Sequence, residues 1–377
     1  MKKLSIIFVL AAMAASACRP EPQVRAQLVA VGGDPSGFSR ADGPRPLAFP
    51  TDHGPHPDFQ SEWWYYTGNL DAADGRHFGY QLTFFRRALL PAAERQLRAS
   101  DLATEQLYLA HFSLTDVDGG EYRAFERFSR GAGGLAGAAA SPYRVWLEDW
   151  RVETIAPHAI QLYAVQDDIL IDLILIDAKG PVLQGDHGYS QKGPASGNAS
   201  YYFSQTRLQT DGTISVRGDA FEVSGLSWMD HEFSTSALAS DQVGWDWFSV
   251  QLDDGSELMV FQLRKEDGSV DPFSSGAYIA PDGSTTPLTR DDFEIVVGAT
   301  WRSPRSGAEY PAQWSVRVPR LDLQLEIEPH LTDQELNVSF VYWEGAVRIT
   351  GRRAGRAVAG NGYVELTGYA ASMQGQF

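Results

Sequence analysis

Residues 62–82 read EWWYYTGNLDAADGRHFGYQL, and they decide the class of the fold. Two aromatic-rich runs flank the turn signal Asp74-Gly75, the pattern of a β-hairpin. Side chains alternate across a strand, so Trp63 and Tyr65 share one face and Trp64 and Tyr66 the other. The stretch recurs. Residues 244–263, GWDWFSVQLDDGSELMVFQL, align with it after one or two residues of slippage at the turn. Trp63 meets Trp245, Leu70 meets Leu252, Asp71 meets Asp253, Gly75 meets Gly255, and Gln81-Leu82 meet Gln262-Leu263. Tyr65 and Tyr66 coincide with Trp247 and Phe248. The 182-residue offset from Trp63 to Trp245 is the size of one small β domain with insertions. The chain therefore reads as a duplication with its seam near Phe233. Chance likeness between two aromatic hairpins is the competing reading.

The 377 residues are enough for two ordinary domains. Aromatics make up 12%, ten of them tryptophan, and no helical period is sustained. The pattern is all-β. At the N-terminus, Lys2 and Lys3, the apolar run 4–15 and the small residues Ala15-Ser16-Ala17 before Cys18 form an export signal. The run is too short to span a bilayer, which needs ~20 apolar residues. Cys18 is the single cysteine and sits as in a lipobox, so it is expected to carry a diacylglycerol. Ordinary cleavage after Ala17 is the alternative. Lipidation would place the protein in a bacterial cell envelope, anchored and facing the periplasm, with the outer membrane preferred. One cysteine allows no intramolecular disulfide. The net charge of −17 becomes more negative once Lys2 and Lys3 are removed. So acidic a surface repels nucleic-acid phosphates and anionic headgroups. Nucleic acid drops out as a partner, and membrane contact falls to the lipid anchor.

Residues 1–17 are read as signal peptide, 18–46 as a flexible Pro/Gly/Ala-rich tether, 47–233 as the first unit and 234–377 as the second. Asp118-Gly119-Gly120 and Asp211-Gly212 are expected to be turns. Residues 131–140, GAGGLAGAAA, are expected to form a mobile loop, and 90–99 a short helix.

The chemistry concentrates in residues 224–251, SGLSWMDHEFSTSALASDQVGWDWFSVQ. Trp228, Trp245 and Trp247 surround Asp230, His231, Glu232 and Asp246. Large aromatics around a few carboxylates describe an apolar cavity with a small polar centre. A strand through this segment puts Asp230 and Glu232 on one side with Trp228, and His231 on the other. An aspartate in a dry aromatic pocket, or beside a second carboxylate, keeps its proton near neutral pH and can donate it. A structural Asp230–His231 pair is the alternative.

The run 228–233 (WMDHEF), residues 49–70 (FPTDHGPHPDFQSEWWYYTGNL), 198–208 (NASYYFSQTRL), YWEGAV from Tyr342 and GNGYVELTGY from Gly360 together resemble the carotenoid 1,2-hydratase and AttH-type lipocalin-like family. The resemblance runs from Phe49 to Tyr369. It implies two tandem lipocalin-like antiparallel β-barrels, a type of barrel that can hold one small apolar ligand inside. The two are expected to pack against each other, with the pocket near their junction. For the hydratase branch it implies addition of water to the terminal double bond of an acyclic carotenoid. The family's Asp-His pair, with an aromatic two residues before it, falls on Asp230, His231 and Trp228. Tyr201 and Phe203 stand where the hydratases carry a histidine and an aromatic.

The candidate catalytic residues are thus Asp230, His231 and Glu232. Trp228, Trp247, Asp246, Tyr201, Phe203 and Trp64 are candidates for ligand binding, while Trp63 and Trp245 are assigned to barrel cores. Glu344 and Glu365 are candidate cavity carboxylates, with the pairing of both to arginines such as Arg348 the preferred reading. His53 and His56 lie in a segment broken by Gly54, Pro55 and Pro57, which excludes the zinc-protease helix. Asp52 and His56 are therefore read as a packed turn, with no metal and no cofactor expected. There is no G-x-S-x-G elbow, although Ser227 beside His231 keeps a hydrolase as a minor alternative. Two functions lead: a hydratase acting on an isoprenoid or related lipid, and a non-catalytic carrier of the same ligand class.

Overall fold

The computed structural model describes residues 35–95, 103–236 and 238–374. The leader, Cys18 and the first half of the expected tether lie outside these residues. Among the described residues, helix is confined to three-residue 3-10 turns, and the rest of the regular structure is antiparallel sheet. A 13-stranded sheet runs between Ser61 and Ser234, and a 10-stranded sheet between Gln242 and Leu366.

The two sheets have corresponding strand orders. In the first, Ser61–Ala72 lies between His77–Ala88 and Asp219–Ser234. Outward from His77–Ala88 come Gln106–Asp116 and Glu121–Arg130. Outward from Asp219–Ser234 come Ala199–Val216, Ile169–Asp177, Ala159–Gln166 and Trp150–Ala156. In the second, Gln242–Leu252 lies between Glu257–Lys265 and Arg356–Leu366. Ser275–Ile279 and Thr285–Thr289 follow on one side; Val341–Arg353, Leu323–Pro329, Glu309–Val318 and Glu294–Arg302 follow on the other. The strands carrying Trp63 and Trp245 therefore occupy the same place. The first sheet adds Tyr143–Leu147 and Ala136–Ala140 at its end.

Each sheet curls into a lipocalin-like barrel around its own apolar core. Trp64, Tyr66, Phe112, Trp150, Leu173 and Phe203 belong to the first core; Phe248, Trp314, Leu325 and Ile349 belong to the second. Each barrel interior is thus packed with its own side chains. The aromatics on the opposite faces of the central strands form a third cluster between the barrels, including Tyr65, Tyr202, Trp228, Trp247 and Phe261. Burying each such side chain contributes ~1.5–3 kcal/mol, enough to hold the barrels together.

The barrels meet through equivalent strands. His77–Ala88 of the first touches Val341–Arg353 of the second, so closely that a Cβ on Gly79 would lie 2.4 Å from Ala346 Cβ. Reciprocally, Ala199–Val216 touches Glu257–Lys265. There the buried Glu257 carboxylate takes both Arg207 and, at 2.8 Å, Lys179. The contacts obey a pseudo-two-fold relation.

Four local expectations change. Gly212 lies inside Ala199–Val216, where a Cβ would sit 2.2 Å from the Asp172 carbonyl oxygen; close strand approach, not a turn, requires glycine there. Residues 136–140 of the supposed mobile loop form a sheet-edge strand, Ala136–Ala140. The described part of the expected helix at 90–99 holds only the turn Ala92–Glu94. The described end of the tether is docked: Ala41 is buried, Tyr201 donates to the Gly43 carbonyl at 3.0 Å, and Arg45 lies over the Tyr201 ring.

Candidate active site

The faces that the two barrels turn toward each other enclose a cleft of about 820 Å³, including the space at its mouth. Strand register builds its first wall. Asp230 lies opposite Tyr65 on one neighbouring strand and Ser204 on the other, and Glu232 lies opposite Trp63 and Tyr202. Tyr65 and Trp63 in turn oppose Thr83 and Phe85. On the second wall Trp247 opposes Phe261 and Glu365, and Trp245 opposes Leu263. Tyr342, Leu238 and Lys192 complete the lining.

Asp230 is the most perturbed point of the first wall. Its Oδ1 accepts from the Trp228 indole N–H at 2.7 Å and from Ser204, and its Oδ2 meets the Tyr202 hydroxyl. Trp247 donates its indole N–H to that same Tyr202 oxygen at 3.1 Å. Burial pushes the Asp230 carboxyl up to about 7, outweighing the three hydrogen bonds that favour its anion. Glu365, opposite, accepts from the Trp245 indole at 2.7 Å. Burial also pushes it up to about 7, with Asp230 and Glu232 adding to the rise. Glu232 faces Lys192 at 3.3 Å, and the Lys192 ammonium lies 4.2 Å from the Phe261 ring centroid. Behind Tyr65, whose hydroxyl donates to it, lies the buried Glu344; burial and the nearby Glu365 keep that carboxyl well above the usual range.

An aromatic box with neutral carboxylic acids in its walls can protonate an apolar substrate and shelter the resulting positive charge. The AttH-like family model matches residues 40–369. The chain belongs to the AttH-like family. A crystal structure from Nitrosomonas europaea assigned to AttH is 36% identical, covers 88% of this chain and 100% of its own, and superposes with a TM-score of 0.77. Kievitone hydratase from Nectria haematococca shares the fold at 14% identity, with 90% of this chain and 97% of that chain covered and a TM-score of 0.68. CghA is similar at 12% identity over 83% of this chain and 89% of its own, with a TM-score of 0.50. No curated protein sequence matches the chain.

In this AttH-like protein, Asp230, Glu232 and Trp247 line the cleft, and Trp228 supports it through its bond to Asp230. Trp63 and Trp245, assigned to cores from sequence, line it too. His231 does not. It projects from the opposite face of the strand into the first barrel, where its Nε2 meets Glu62 at 2.8 Å and its ring stacks on Trp64 at 4.9 Å. Burial lowers its proton affinity. Trp64 and Phe203 belong to the core around it, and Tyr201 packs under the docked tether with Phe59 and Phe233. Asp246 points away from Trp245 and Trp247 and is held by Arg264 at 2.9 Å and Tyr369 at 3.2 Å. Each of these corrections has one cause: side chains alternate, so a neighbour in sequence lies on the wrong face.

The Ser227–His231 pairing does not form either, because Ser227 Oγ is bonded to Tyr80 and Thr210, both at 2.7 Å. Arg348 pairs with Glu328, leaving Glu344 and Glu365 to the cleft side. Asp52 does meet His56, at 2.8 Å, and His56 meets Glu62. His56, Glu62 and His231 lie close enough together to hold an ion. Yet the Glu62 carboxylate is bonded by both histidines and by Arg86, whose guanidinium already supplies the positive charge. Sequence reading missed Tyr202, Ser204, Tyr65 and Lys192. Alternation from Asp230 would have found Tyr202 and Ser204 had the register of the two strands been known.

Proposed function

We propose that this protein is an exported, lipid-anchored member of the AttH-like family that binds an isoprenoid or related polyene in the inter-barrel cleft and adds water across a carbon–carbon double bond. The observation that carries this reading is Asp230, a buried carboxyl pushed up to about 7 in an aromatic wall. Near neutral pH a substantial fraction carries a proton. The Asp230 O–H bond breaks as a C–H bond forms on the alkene, with Tyr202 hydrogen-bonded alongside. The carbocation lies among Trp63, Trp245 and Trp247, whose ring faces stabilise positive charge. A water oxygen then bonds to the cationic carbon and loses a proton, so the product is the substrate plus one water. The fold shared with kievitone hydratase supports hydration on this scaffold. Attachment at Cys18 would set the cleft near the membrane that dissolves such a substrate.

The test is incubation of the purified protein with lycopene in detergent, read by mass spectrometry. The wild type is expected to yield product heavier by one water. Asp230→Asn keeps the shape of the side chain and should lower turnover by ~10²–10⁴-fold while quenching of tryptophan fluorescence shows ligand still bound. Bound lycopene of unchanged mass in the wild type would make the protein a carrier. Full turnover by Asp230→Asn would remove Asp230 as the acid.

A further inference from the structure

Hydration needs an acceptor for the proton that the attacking water gives up, and the structure holds one outside the Asp230 cluster. Tyr342, on Val341–Arg353 of the second barrel, lines the cleft. Its hydroxyl lies 2.8 Å from Nδ1 of His111, on Gln106–Asp116 of the first barrel. His111 Nε2 lies 3.1 Å from Glu126, directly opposite it on the neighbouring strand. The imidazole is fully buried, with Phe85 edge-on at 5.3 Å, while the Glu126 side chain is 17% exposed at the protein surface. The chain of contacts runs from cleft to solvent across the barrel junction. Ser339 donates to Glu126 through both its backbone N–H, at 3.2 Å, and its hydroxyl. Burial favours the neutral form of Glu126, but His111 and Ser339 together hold the carboxyl below its usual range.

The other cleft tyrosines lead elsewhere: the Tyr202 hydroxyl meets the carboxyl of Asp230, and the Tyr65 hydroxyl that of Glu344. Tyr342 is hydrogen-bonded to an imidazole, the side chain suited to accept a proton near neutral pH. We infer that Tyr342, His111 and Glu126 are the base of the hydration, with Tyr342 taking the proton from the attacking water as its own passes to His111 Nδ1. This rests on the hydratase reading. The bonds balance: a water O–H and the Tyr342 O–H break, a new Tyr342 O–H and an Nδ1–H form, and Glu126 stabilises the imidazolium. The proton then leaves to solvent on the Glu126 side. Tyr342 is the catalytic residue; His111 and Glu126 are positioning residues that act through it. The titratable groups acting on Tyr342 are Glu344, Glu365, Tyr122 and Glu126.

Two measurements on the full-length protein test this. Nitrogen NMR of ¹⁵N-histidine-labelled protein should show the neutral His111 ring protonated at Nε2 and bare at Nδ1, with a signal that shifts in Tyr342→Phe. A proton on Nδ1 would overturn the inference, because Nδ1 could then accept nothing. With lycopene, Tyr342→Phe and His111→Gln should each lower kcat by ~100-fold or more, with little change in KM. Glutamine keeps a hydrogen-bond acceptor but not a base, so restored turnover in His111→Gln would reduce the triad to a structural contact. Tyr342→Phe at wild-type rate beside an inactive Asp230→Asn removes the base and leaves the acid standing. Absence of hydration in the wild type removes both.

Discussion

Asp230 carries opposing forces whose balance decides its chemistry. Three donors, Trp228, Ser204 and Tyr202, favour its anion, and burial disfavours it by more. The folded protein therefore keeps a proton that the unfolded chain gives up near pH 4. A state that binds more protons loses relative stability as pH rises, so this group weakens the fold progressively from about pH 4 to about pH 7. Glu365 acts in the same direction. The urea midpoint should fall between about pH 4 and pH 7, and Asp230→Asn should flatten that decline. Catalysis has the matching sign: turnover of lycopene should drop as pH rises above about 7, when the donor is ionised. A rate that is level across that range would argue against a carboxyl donor. Asp230, Glu232 and Trp247 were legible from composition, because carboxylates clustered among tryptophans are unusual. Alternation alone put His231 on the other face of its strand, where it lies. Tyr201 and Phe203 stand one step from Tyr202 and Ser204, the residues that oppose Glu232 and Asp230. Which pair faces the cleft depends on the register between the two strands, a tertiary quantity.

At the scale of elements, the aromatic hairpin at 62–82 formed as its pattern demands, with Gly75 in the left-handed region at its turn. Asp211-Gly212 carries the same local turn signal and lies in mid-strand, because Ile169–Asp177 passes too close for any side chain. A local dipeptide cannot report what a strand distant in sequence will need. Gly212→Ala would press its methyl against the Asp172 carbonyl and should cost about 2–3 kcal/mol in urea denaturation, the scale of overpacking in a dense interior. A loss under about 0.5 kcal/mol would show that the two strands can separate there. The alanine-rich strand Ala136–Ala140 was equally hidden. Its residues have little propensity for sheet, and pairing with Tyr143–Leu147 decides its state.

Over the whole molecule, the duplication was readable because equivalent strands kept their aromatic signatures. The cleft lies at the junction, where the pocket was expected; its exact lining was not readable, since it follows from which strand faces the two barrels turn toward each other. The junction is held by more than apolar contact. Glu257 is fully buried between Lys179 and Arg207, and removing it strands two cations at the junction. Glu257→Ala should cost ~3–5 kcal/mol and weaken the linkage of the barrels, splitting a single calorimetric transition into two. One unshifted transition would show that the aromatic cluster suffices without the clamp.

The reciprocal contacts, His77–Ala88 on Val341–Arg353 and Ala199–Val216 on Glu257–Lys265, are those of an isologous dimer. An isologous pair of identical halves would enclose a cavity with every group present twice. Here the halves differ: the first barrel contributes Asp230 and Tyr202 to the cleft, the second Trp247, Tyr342 and Glu365. A molecule entering the cleft therefore meets two unlike walls, and can tell one orientation of itself from the other.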